Sequence, residues 1–188
     1  MPIPQEFKVK IKYFFVSGVI MDDGRELITR RKLLKRYAAG ERDFAGMRIS
    51  SSGLDGEDLQ EIDLNEADLI GVNLTTTNLS GADLSGAKMH CVNLTNANLS
   101  YGNLQGVDLS GANCTGADFS NCNLVDAIFT AANFDGANLY RTAIGGDAKL
   151  IKTDFTGAKN FPGIGEGVLV YKTFWEDGSF FEGPDWYE

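Results

Sequence analysis

Asn73-Leu74-Thr75-Thr76, Asp83-Leu84-Ser85-Gly86 and Asn98-Leu99-Ser100-Tyr101 repeat one pattern, in which a leucine or its stand-in recurs every fifth residue between 42 and 146. The central positions begin Phe44, Ile49, Leu54, Leu59 and end Phe134, Leu139, Ile144. They make 21 in succession without a polar side chain, which rules out coincidence. Two residues before most centres stands a small residue, as at Ala67, Ala82, Ala97 and Ala112, and one before stands Asp or Asn. Gly follows the centre by two residues at ten of the 21 repeats, which marks where the chain bends. A short internal period fixes the fold before any helix or strand is assigned.

A period of five suits neither regular element. Five residues of α-helix turn about 500°, so successive leucines would step about 140° around the axis and leave no apolar face. On a flat strand the side-chain period is two, and an odd spacing would send alternate leucines to opposite faces. One inward position in five therefore requires a corner in every repeat, and Gly, Asn and Asp tolerate the backbone angles of such corners. The chain must wind as a coil, with Leu and Ala inside and the polar residues outside.

Ala82-Asp83-Leu84-Ser85-Gly86, Ala97-Asn98-Leu99 and Ala112-Asn113-Cys114-Thr115-Gly116 carry the A(D/N)LxX signature, and over residues 42–158 the chain resembles the pentapeptide-repeat proteins. The resemblance implies an all-β solenoid, a right-handed quadrilateral β-helix with four pentapeptides per turn. About five coils rising roughly 4.8 Å each would make a shaft of about 25 Å. Some members of that family resemble duplex DNA in shape and charge and engage DNA gyrase, so the resemblance also implies that role as an alternative.

Outside the repeat, residues 1–41 read as an N-terminal strand and capping α-helix, 42–160 as the β-helix, and 161–188 as a C-terminal hairpin and tail cap. Phe7, Val9, Ile11 and Tyr13 alternate with Lys8, Lys10 and Lys12, as in a half-exposed strand. Asp23-Gly24-Arg25-Glu26 has the form of a capping box and opens an expected helix over residues 24–39, closed by Gly40. After Ile144 the register slips by one at Gly145-Gly146-Asp147. Residues 168–175 and 179–181 read as a hairpin about Asp177-Gly178. Phe119, Phe129 and Phe134 cluster near the far end, where a wider core finishes against Phe155.

Charge is unevenly divided. Residues 1–40 carry nine basic and four acidic side chains, 41–160 seven and sixteen, and 161–188 one and six. An acidic shaft repels phosphate, so the coil is expected not to bind nucleic acid directly. Two candidate partner surfaces follow. One is the acidic run Asp55, Asp58, Glu61, Asp63, Glu66 and Asp68, with no Lys or Arg among them; the other is the basic helix surface with Arg30, Arg31 and Lys35. Asp58, Asp63 and Asp68 also occupy the Asp/Asn slot, where the side chain can bond turn backbone.

Little else suggests chemistry. Residues 13–21 are apolar but far too short to span a bilayer. Cys91, Cys114 and Cys122 are too few for a disulfide framework, which points to a reducing, cytoplasmic setting, and two of them fall on inward positions. His90 has no second histidine to complete a metal spacing, and no phosphate loop is present. No catalytic site, metal or cofactor is expected. The expected function is a non-catalytic, rigid scaffold for an unknown protein partner, as a monomer or a homodimer joined through an end cap. The alternative is an acidic DNA mimic that binds gyrase or topoisomerase.

Overall fold

The computed structural model describes residues 19–20, 23–50 and 53–186, so the alternating stretch at 7–13 lies outside the described residues. Parallel bridges join residues twenty apart: Asp43 with Asp63, Asp63 with Asp83, Asp58 with Asn78, Asn73 with Asn93. One circuit of the chain is therefore four pentapeptides, and the Asp/Asn slots stack into four columns. On the first side stand Asp43, Asp63, Asp83, Asn103, Asn123 and Ala143. The second carries Arg48, Asp68, Lys88, Asp108 and Ile128, the third Asn73, Asn93, Asn113 and Asn133, and the fourth Asp58, Asn78, Asn98, Asp118 and Asn138.

A single repeat shows why five residues suffice. Asp83 donates its N–H to Ile62 O in the coil below (3.0 Å), while Leu84 and Gly86 donate to Asn103 O and Gln105 O in the coil above (2.7 and 2.8 Å). Ala87 closes the corner on Leu84 O (3.0 Å). That leaves the N–H of Ser85, which the Asp83 carboxylate accepts at 2.9 Å. Each backbone donor of this repeat is thus used, and Asp or Asn suits the slot because the fifth donor then meets a short side-chain acceptor. The third corner residue takes a positive φ, 65° at Gly86 and 55° at Thr76, so its N–H can point along the axis.

Inside, the centres and the small residues are buried from Phe44 and Leu54 to Leu139 and Leu150. Where a small slot holds Thr, its hydroxyl donates to a carbonyl one coil back: Thr77 Oγ1 to Leu54 O, Thr142 Oγ1 to Phe119 O, Thr153 Oγ1 to Phe129 O. Cys122 Sγ does the same to Leu99 O at 3.0 Å, so it occupies a threonine's role. The far end is aromatic. Phe134 meets Phe119, Phe129 and Phe155 at centroid distances of 5.3, 5.4 and 5.1 Å, and Phe155 in turn packs on Phe161 and Trp175.

The slip after Ile144 is present: bridges span 21 residues from Ile128 to Lys149, Asn133 to Asp154 and Asn138 to Lys159. The extra residue sits in the corner, where Asp126 accepts from the N–H of Asp147 at 3.0 Å. That bond, with Gln105, holds the Asp126 carboxyl below its ordinary range.

Two expectations at the ends need correction. The helix, α1, spans Arg30–Ala38 rather than 24–39, and Thr29 is its N-cap, accepting from the N–H of Lys32. The capping-box residue Glu26 instead opens strand β2 (Glu26–Ile28), which pairs antiparallel with β1 (Val19–Ile20) and parallel with β3 (Arg48–Ile49). At the other end only the second half of the expected hairpin forms. β6 (Thr173–Phe174) pairs antiparallel with β7 (Phe180–Phe181), whereas β5 (Leu169–Tyr171) continues the coil by pairing parallel with β4 (Lys149–Ile151). β8 (Asp185–Trp186) then lies antiparallel on β5. On the second side, therefore, an antiparallel strand ends the parallel stack at both extremities.

Candidate interaction surface

The acidic run of the sequence is not a patch. Asp55 stands at the corner after the third side, Asp58 on the fourth, Asp63 on the first and Asp68 on the second, so the run winds around the coil as a ring. Asp68 is moreover only 5% exposed. Its carboxylate takes Arg48 Nε at 2.8 Å and the N–H of Ile70 at 3.2 Å, which removes it from the candidate surface. Asp55 is engaged as well, 3.5 Å from Arg30 Nη1, and Arg30 also grips Glu57. The two surfaces inferred from sequence thus touch each other through Arg30, while Arg31 and Lys35 stay exposed on the outer side of α1.

What the coil does assemble is an acidic first side. Asp43, Asp63 and Asp83 are bridged one above another, about one strand spacing of 4.8 Å apart. Each uses one carboxylate oxygen on its own turn, on the N–H of Ala45, Asn65 and Ser85 respectively. Glu61 and Glu66 stand at the two corners of this side in the left-handed region, with φ of 56° and 53°. Their stems run up against Gly81 and Gly86 of the next coil, whose missing side chains leave them room; a Cβ there would lie 3.4 and 3.3 Å from the glutamate Cγ atoms. Five carboxylates consequently frame one flat side, and Glu61 and Glu66 are exposed. Sequence reading missed the stacking of Asp43 and Asp83 with Asp63, although their twenty-residue spacing carried the signal.

The cations at the foot of this side are committed elsewhere. Arg42 lies over the Tyr37 ring at 3.8 Å and donates to Tyr37 O, and Arg25 donates to Glu66 O. Arg36 holds Glu41 in a direct ion pair, and that hydrogen bond keeps the Glu41 carboxyl below its usual range. Above Asp83 the column continues as Asn103, Asn123 and Ala143, so the charge stops halfway.

Other chemistry-bearing side chains are tied into the coil. His90 Nε2 reaches Asp108 Oδ2 at 3.0 Å across one coil step. Burial pushes the Cys122 thiol up to about 12 and raises Cys114 further, while Cys91 is exposed. Among the described residues no group of three or more His, Cys, Asp or Glu is placed to hold a metal ion, and no helix is long and apolar enough to cross a membrane.

The family model for pentapeptide repeats matches residues 58–90, 77–113 and 112–144, in eight copies. No curated protein matches. Among solved structures, the chain is similar to the pentapeptide repeat protein Rfr23 from the cyanobacterium Cyanothece 51142, with 26% identity and a TM-score of 0.43 over 45% of this chain and 56% of that one. The chain thus spans little more than half the length of that relative. It is also similar to HetL, a pentapeptide repeat protein involved in heterocyst differentiation regulation from Nostoc sp. strain PCC 7120 (24% identity, TM-score 0.32, 82% and 100% covered). A third is QnrB1, a plasmid-mediated fluoroquinolone resistance protein (17% identity, TM-score 0.47, 69% and 70% covered).

Proposed function

We propose that this chain, which carries the repeat of the pentapeptide-repeat family over residues 58–144, is a non-catalytic post whose acidic first side docks a basic protein partner. In this reading the coil is a right-handed quadrilateral β-helix, α1 caps its first turn, and residues 161–188 cap its last. The observation that carries the reading is the column Asp43, Asp63, Asp83 flanked by Glu61 and Glu66. Stacked like charges on adjacent strands repel, and a partner's Lys or Arg side chains would relieve that repulsion. Fold alone does not choose a function; the charge on one side does the choosing here. Free thiols at Cys91, Cys114 and Cys122 support a reducing, cytoplasmic setting.

The test uses isosteric neutralisation. Asn already fills the equivalent slot at Asn103 and Asn123, so Asp63→Asn and Asp83→Asn keep the turn bond while deleting charge. With Glu61→Gln and Glu66→Gln added, the folded variant should lose a protein that wild type retains from source-cell lysate. Equal retention by both baits would remove the acidic side from consideration. The DNA-mimic alternative requires phosphate-like charge along the whole shaft, and the neutral upper half of this column favours the shorter protein contact. Unchanged supercoiling by gyrase in the presence of excess protein would dispose of the mimic separately.

A further inference from the structure

We propose that the chain assembles head to tail with a second copy of itself, the acidic aromatic end of one copy seating in the basic, apolar groove beside α1 of the next. This goes beyond the side-face reading and uses none of its residues. At the first coil, Thr29, Arg30, Arg31, Leu34 and Ser50 line an open groove of about 640 Å³ with largely carbon walls. The cations of α1 divide into two sets. Arg30, Lys32 and Arg36 reach Glu57, Glu26 and Glu41 of the same chain, whereas exposed Arg31 and Lys35, one helical turn apart, form no ion pair among the described residues. The groove's lining therefore carries Arg31, uncommitted among the described residues, and Lys35 stands one turn further along α1.

The last coil offers the complement. Phe174, Phe180 and Trp186 are 42%, 49% and 57% exposed, and the Phe174 and Phe180 rings meet in a tilted contact at 4.8 Å. Exposed Glu176, Asp177 and Asp185 lie among them in the chain and form no ion pair among the described residues. Three large exposed aromatics within residues 174–186, two of them in ring contact, mark a contact rather than ordinary surface.

Charge selects which contact. Among the described residues, 19–40 have six basic to two acidic side chains, and 161–186 have one to five. A twofold pairing of two acidic ends would set like charges face to face, while an end-to-end contact between unlike ends joins opposite ones. Such a heterologous contact leaves a free end at each extremity, so it propagates into a linear assembly.

The experiment is sedimentation of the full chain over a range of concentrations, at low and high salt, with two blocked variants. Arg31→Glu with Lys35→Glu blocks the groove, and Phe180→Ser with Trp186→Ser blocks the tail. If the aromatic pair proves needed for folding, Glu176→Lys with Asp185→Lys blocks the tail by charge alone. Wild type should grow past two copies with concentration and return to one copy at high salt. Each blocked variant alone should be monomeric, and the equimolar mixture of groove-blocked and aromatic-blocked chains should stop at two copies, a doubling of mass. A wild type monomeric throughout would overturn the proposal. So would a dimer that survives the groove block and is lost with the tail block, since that is twofold pairing of the acidic ends.

Discussion

At the scale of the residue, the third corner position decides local stability. Its φ must be positive, which glycine meets freely and which costs an L-residue about 1–2 kcal/mol. Thr76 sits there at 55°, and as a β-branched residue it suits the position poorly. Thr76→Gly keeps the N–H bond to Thr95 O and should raise the unfolding free energy by about 1 kcal/mol in urea denaturation. A lower stability in that variant would mean that the corner is not strained. The Asp/Asn slot was legible in the sequence because one short acceptor per repeat answers one leftover donor. The tilt of Glu61 and Glu66 up the coil was not, because it depends on Gly81 and Gly86 twenty residues on having no side chain.

At the scale of the element, pairing across coils overrides local signals. Asp23 to Glu26 has the composition of a helix start, yet Leu27 and Ile28 find Arg48 and Ile49 alongside, and that strand pairing displaces the helix to Thr29. The same competition splits the expected hairpin, since β4 captures β5 before β7 can reach it. Both errors arise where the repeat stops and a short segment has two available partners. The aromatic end was readable, because centres five residues apart return to the same interior after each circuit. Phe134 touches three other rings and is fully buried, so Phe134→Ala should cost about 3–5 kcal/mol of stability, measurable as a lower denaturation midpoint with an unchanged slope. A loss under 1 kcal/mol would show that the cluster closes over the gap.

At the scale of the whole molecule, neighbours in sequence and neighbours in space are different sets. The run from Asp55 to Asp68 looked like a patch and is a ring, while Asp43, Asp63 and Asp83 are scattered in sequence and form a column. Once the circuit length is known, every twentieth residue is the natural unit for reading a surface of this coil. The bridges that set this unit all run along the axis, from one coil to the next. Pulled apart by its two termini, the protein would accordingly bear the load on one layer at a time and pay out like thread from a reel. Each layer would release twenty residues, about 65 Å of slack once its own thickness is subtracted. Single-molecule stretching should show a train of short, even steps. One long rupture would mean that the layers give way together, as a block.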